Sequence, residues 1–109
     1  MTYVFDIDGT ICTKVDDGNY LNAKPLQNRI DVVNRLYEEG NRIIFQTARG
    51  MGRHNNQADL AFLDFYDLTT TQLSQWKVKY HMLLLGKASG DLYIDDKGIK
   101  DEDFFNTRN

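Results

Sequence analysis

The sequence predicts a layered α/β domain built on a parallel sheet, and three observations carry that expectation. Short apolar runs at residues 3–5, 42–46, 81–86 and 92–94 have the length and composition of buried strands. Each run is followed by a polar residue able to do chemistry: Asp6, Thr47, Lys87 and Asp95-Asp96. A stretch of helical periodicity separates the first two runs, as a parallel crossover requires. In open α/β sheets ligands lie beyond the carboxyl ends of the strands, so these groups converge on one place.

The first run, Tyr3-Val4-Phe5, opens the chain and leads into Asp6-Ile7-Asp8-Gly9-Thr10, where Gly9 breaks the strand. Residues two apart on a strand point the same way, so Asp6 and Asp8 can share a site. Two carboxylates sharing a site repel, which leaves one ionised nucleophile beside one proton donor. A strand end followed by an ordinary Asp-Gly turn is the simpler alternative for this motif alone.

Residues 11–24 are polar and turn-rich, with Asp16-Asp17-Gly18-Asn19 at their centre, an insert that in related folds forms a small hairpin flap. Pro25 suits the first turn of a helix whose apolar face is Leu26, Ile30, Val33, Leu36 and Tyr37. Gly40 suits its C-terminal end. The strand Arg42-Ile43-Ile44-Phe45-Gln46 follows, closing a right-handed strand–helix–strand unit on Thr47.

Residues 48–57 are polar and contain Arg49 and Arg53, placed next to Thr47 as either substrate contacts or surface charge. Leu60 to Leu63 and Phe65-Tyr66 are apolar with no clear period. Thr69 and Gln72 have the spacing of a capping box that would start a short helix carrying Leu73 and Trp76. The run His81 to Gly86 then delivers Lys87, and Leu92-Tyr93-Ile94 delivers Asp95-Asp96. The acidic run Asp101-Glu102-Asp103 reads as a solvated turn.

These motifs together resemble the haloacid dehalogenase-like (HAD) superfamily, most of whose members are phosphatases. Asp6 to Thr10 matches the first motif of that family, Thr47 the second, Lys87 the third (with Lys79 in reserve), and Asp95-Asp96 the fourth. The resemblance spans nearly the whole chain. It implies a three-layer Rossmann-like parallel sheet with flanking helices, and no stretch is long enough for a separate cap domain. It also implies a Mg²⁺-dependent phosphomonoester hydrolase with Asp6 as nucleophile and Asp8 as acid and base. Thr47, Lys87 and the backbone at Ile7 would bind the phosphoryl group. Mg²⁺ would be held by Asp6, the Asp8 carbonyl and Asp95, with Asp96 binding directly or through water. A narrower resemblance, carried by 22–25, 47–49, 86–87 and 95–97, is to small phosphatases of capsule and surface-polysaccharide synthesis, and implies a sugar phosphate.

Composition agrees with one small enzyme domain over 1–109. The 109 residues carry a net charge of −3 and a pI near 5.2, which argues against nucleic acid as a partner. The single Cys12 excludes an internal disulfide framework and points to a reducing compartment. No signal peptide or membrane-spanning run is visible, so the cytoplasm and no membrane partner are expected. His54 and His81 lack metal-ligand spacing, and Trp76 reads as core. The Phe62 to Tyr66 cluster could serve a homo-oligomer contact or a packed helix face. A nucleotide or polynucleotide-end phosphatase is the alternative within the fold. A phosphorylatable receiver is the alternative outside it, although receivers carry their acidic pair on the first strand.

Overall fold

The computed structural model describes residues 1–16 and 18–107. Its elements are β1 (Thr2–Phe5), α1 (Gln27–Glu38), β2 (Arg42–Thr47), α2 (Ala58–Gln75), β3 (Met82–Leu85) and α3 (Asp101–Asn106), with a 3-10 turn at Tyr20–Asn22. The strands form a parallel sheet in the order β1-β2-β3. Right-handed crossovers that advance in one direction across a sheet place α1 and α2 on the same face.

The register explains which side chains meet. Phe5 pairs with Phe45, and Phe45 with Leu83, so the three stand in one row across the sheet. That row is buried, together with Ile43, against Ile30 and Val33 of α1, Leu73 of α2 and Phe104-Phe105 of α3. The neighbouring row is Val4, Ile44 and Met82, and it is more open: Val4 is 58% and Met82 37% exposed. The helices therefore cover one face, making two layers where three were expected. The expected second layer has no source, because residues 86–100 form no helix and α3 folds back onto the covered face. There Phe104 meets the rings of Tyr3 and Phe5 edge-on, at 5.9 and 5.5 Å.

The first three strands match the sequence reading; the fourth does not. Leu92, Tyr93 and Ile94 lie in an irregular segment and are 80%, 55% and 93% exposed. Tyr93 turns back on its own loop: its hydroxyl donates to the Ala88 carbonyl at 2.7 Å and accepts from the Gly90 amide at 3.1 Å. Its ring also covers the Lys87 ammonium at 4.3 Å. With Tyr93 bonded locally and residues 92–94 irregular, this run gives the open edge of β1 no extended partner.

Smaller corrections have equally local causes. Pro25 precedes α1 and bridges to Cys12, so the helix begins at Gln27. Gly40 does terminate it, at φ +92°. Residues 58–75 make a single helix, α2, where residues 60–66 show no clear period and a short helix was expected from Thr69. Asp101-Glu102-Asp103 form the first turn of α3, where negative charge suits the helix dipole. The insert at 11–24 starts with buried Ile11 and Cys12, and its described residues make isolated bridges at Asp8–Cys12 and Cys12–Pro25 and the 3-10 turn Tyr20–Asn22. Asp17, in its expected centre, lies outside the described residues. No helix among the described residues is long and apolar enough to cross a membrane.

Candidate active site

The carboxyl ends of β1, β2 and β3 bring Asp6, Asp8, Thr47 and Lys87 to one edge of the sheet. Beyond β1 the chain folds into a tight turn, with the Thr10 and Ile11 amides donating to the Ile7 carbonyl at 3.0 and 2.9 Å. Asp6 accepts from the backbone amide of Ile7 and faces the Lys87 ammonium, 3.6 Å from its Oδ2. Burial pushes the Asp6 carboxyl above the ordinary carboxylate range, and the neighbouring Asp8 charge adds to that. Lys87 and the Ile7 amide oppose the rise without cancelling it.

Asp8 sits in a different environment. Arg49 grips it with one edge of its guanidinium: Nε donates to Oδ2 at 2.9 Å, and Nη2 to Oδ1 at 3.0 Å. The Cys12 thiol lies 3.5 Å from Oδ1. Buried and flanked by the Asp8 carboxylate, that thiol is pushed up to about 12 and stays protonated. Two carboxylates two residues apart thus have separate partners, Lys87 for one and Arg49 for the other.

Arg49 is where the structure most changes the sequence reading. It is not a surface charge, since its side chain is fully buried. Nη1 donates to Thr69 Oγ1 at 3.2 Å and to Gln72 Oε1 at 2.6 Å, and the guanidinium lies over the Tyr20 ring at 4.7 Å. Thr69 and Gln72 are therefore inward-facing receptors on α2 and not a capping box; both are buried. Sequence reasoning missed them because the i, i+3 spacing that caps a helix also places two residues on one face. Their signal was two polar groups between the core positions Phe65 and Leu73.

The loop after Thr47 reaches this position through a close approach. Gly50 sits at φ +78°, and a Cβ there would come within 2.5 Å of the Phe65 ring. Glycine thus lets the loop lie flat on α2, with Arg49 turned inward. The Thr47 hydroxyl is buried and accepts from the Arg49 amide at 3.1 Å, while its carbonyl accepts from the Gly86 and Lys87 amides at 3.2 and 3.1 Å. Those last two bonds tie the β3 end to the β2 end and set Lys87 beside Asp6. Lys79, the reserve candidate, pairs with Glu38 instead.

Asp95 and Asp96 are not brought to the site; both are exposed in the 88–100 segment. Asp95 accepts from the Lys97 amide at 2.9 Å, which holds its carboxyl below the usual range. The expected Mg²⁺ ligands Asp6, Asp8, Asp95 and Asp96 are thus not gathered, and among the described residues no three His, Cys, Asp or Glu side chains cluster suitably for a metal ion. The arrangement does not fit a metal held by that set. The reason is the missing fourth strand, which was to deliver the acidic pair.

Arg53 is more than half exposed, with its guanidinium over the Phe65 ring at 5.1 Å and 3.9 Å from Asp64. It lines a cleft of about 650 Å³ with Val15, Asp16, Gly18, Asn19 and Asn22. A second cleft, of about 450 Å³, shares Arg53 and Gly18 and extends to Ala48 and Gly50, directly after Thr47.

A target protein from Vibrio cholerae, known from its crystal structure, is similar to this chain at a TM-score of 0.86, with 24% sequence identity, over 95% of this chain and 86% of that one. No family model and no curated protein sequence matches the chain. The likeness to the Vibrio cholerae protein shows a shared fold.

Proposed function

We propose that this chain is a phosphomonoester hydrolase of the HAD type that works through an aspartyl-phosphate on Asp6. The observation that carries the reading is the pairing of Asp6 with Lys87 beside an independently held Asp8, all at the carboxyl edge of a parallel sheet. In the proposed reaction an Asp6 oxygen attacks phosphorus and the bond to the leaving oxygen breaks. Asp8 supplies the proton that oxygen needs, then takes one from the water that attacks the acyl phosphate. Lys87 and the backbone amide of Ile7 offset the charge gathering on the phosphoryl oxygens. Thr47 shapes that pocket through the bonds that fix the Arg49 amide and the Lys87 loop.

A sugar phosphate is the substrate class we favour. The two clefts offer Asp16, Asn19 and Asn22 to hydroxyl groups and Arg53 to a negative group. A net charge of −3 disfavours a polynucleotide end. Magnesium dependence is to be measured in the same assay.

The test is phosphate release from a panel of sugar phosphates, nucleotides and phosphorylated oligonucleotides, with and without Mg²⁺, with Asp6→Asn as control. Turnover that disappears in the variant supports the hydrolase, and the preferred compound names the class. A stable acyl phosphate on Asp6 without turnover would replace it with a phosphorylatable switch. Silence on both counts would remove the reading.

A further inference from the structure

We infer that Arg49 is the positioning residue for Asp8, and that Thr69 and Gln72 of α2 set its aim. The inference rests on the phosphatase reading and adds to it a residue that acts through another and touches no substrate. A guanidinium has five N–H donors in a rigid planar fork. Here two go to the two oxygens of Asp8, and a third group, Nη1, goes to Thr69 and Gln72 on the opposite side. The plane is fixed from above by the Tyr20 ring. Gln72 is itself held, its amide donating to the Tyr20 carbonyl at 2.6 Å. Every rotation that would swing the Asp8 carboxylate must break a bond in this set.

Full burial makes the network strict. A charged fork with no water available has no alternative partners, so losing its contacts costs far more than at the surface. The Asp8 end is different: that carboxylate keeps some exposure, 21% of its side chain, while Arg49 has none. The network thus holds Asp8 from the protein side and leaves part of it open to solvent. Reach to a proton within a few tenths of an ångström is what a general acid or base requires, and misplacement by about 1 Å can cost ~100-fold.

A double-mutant cycle tests this, with phosphate release from an aryl phosphate (p-nitrophenyl phosphate) followed in wild type, Arg49→Lys, Asp8→Asn and the double variant. Lysine keeps the charge and loses the fork. The expected result is that Arg49→Lys lowers kcat by about 100-fold with KM within about two-fold, yet changes kcat by under about three-fold in the Asp8→Asn background. Equal losses in both backgrounds would mean a purely structural role and overturn the inference, as would an unimpaired Arg49→Lys enzyme. Should Arg49→Lys fail to fold by near-UV circular dichroism, Gln72→Met carries the same cycle, with an expected loss of about ten-fold in the wild-type background only. Wild type without turnover on any monoester would take down the phosphatase reading and this inference with it. Active wild type with additive variants would remove this inference alone.

Discussion

The two ends of the expected site differ in how their carboxylates are delivered. Asp6 and Asp8 follow a strand that is paired along its length and packed on Phe45, Phe104 and Phe105, and each acid has a cationic partner. Asp95 and Asp96 follow a run of similar apolar composition that pairs with nothing among the described residues and stands in solvent. An apolar run therefore becomes a strand, and its terminal residue a site group, only when a neighbouring edge accepts its backbone; composition does not decide that. The first comparison is functional: Asp6→Asn is expected to abolish phosphate release, by about 10³-fold or more, while Asp95→Asn loses much less. Equal losses would break the contrast and show that the 88–100 segment reaches the site during turnover.

Chemical labelling sharpens the same contrast. Cys12 lies under Asp8, and its thiol is pushed up to about 12 from an ordinary 9.0. Its thiolate fraction at pH 8 is then ~10³ below that of an ordinary thiol. A disulfide reagent such as dithionitrobenzoate should leave Cys12 unmodified in the folded protein and react at once in denaturant. Rapid reaction in native buffer would mean that the packed end of the site opens.

Stability offers the next test. Ile43 is fully buried in the middle of the sheet and Ile94 is 93% exposed, although both belong to runs of strand composition. Ile43→Ala should cost about 2–5 kcal/mol in urea denaturation, and Ile94→Ala less than about 0.5 kcal/mol. Similar costs for both would show that residues 92–94 are packed in solution.

The same contrast explains what could be read from the sequence. The three strand ends carrying Asp6, Thr47 and Lys87 were legible because each apolar run does pair in the sheet: Asp6 directly follows β1, Thr47 is the last residue of β2, and Lys87 comes two residues after β3. The face of α1 was legible because Ile30 and Val33 repeat at helical spacing and are buried as expected. The role of Arg49 was not, because a buried arginine is defined by acceptors 20 and 23 residues further along the chain, at Thr69 and Gln72. Nor could the fate of Leu92 to Ile94 be read, since the Tyr93 hydroxyl turns back to bond the backbone of Ala88 and Gly90. The second helix layer failed for a related reason, as the Phe104-Phe105 pair chose the covered face of β1.

The smallest expected effect concerns Asp6 itself. Burial raises its carboxyl above the ordinary value, more than Lys87 and the Ile7 amide lower it. The folded protein therefore holds that proton more tightly than the unfolded chain does. Stability from the neutral form is fully present below the ordinary carboxylate pKa and is lost as pH rises through the raised one. Above that raised value the ionised Asp6 is a net cost to folding, discounted because about a third of the side chain is exposed to screening solvent. Asp6→Asn should accordingly melt slightly above wild type at pH 7, by less than about 1 kcal/mol, with the gap closing toward pH 3. Asp95→Asn should show the opposite sign, because the Lys97 amide favours the ionised form of Asp95. A destabilised Asp6→Asn variant at pH 7 would mean that the Lys87 pair outweighs burial. In that case the end of β1 would be a structural ion pair, and the strain expected of a buried nucleophile would be absent.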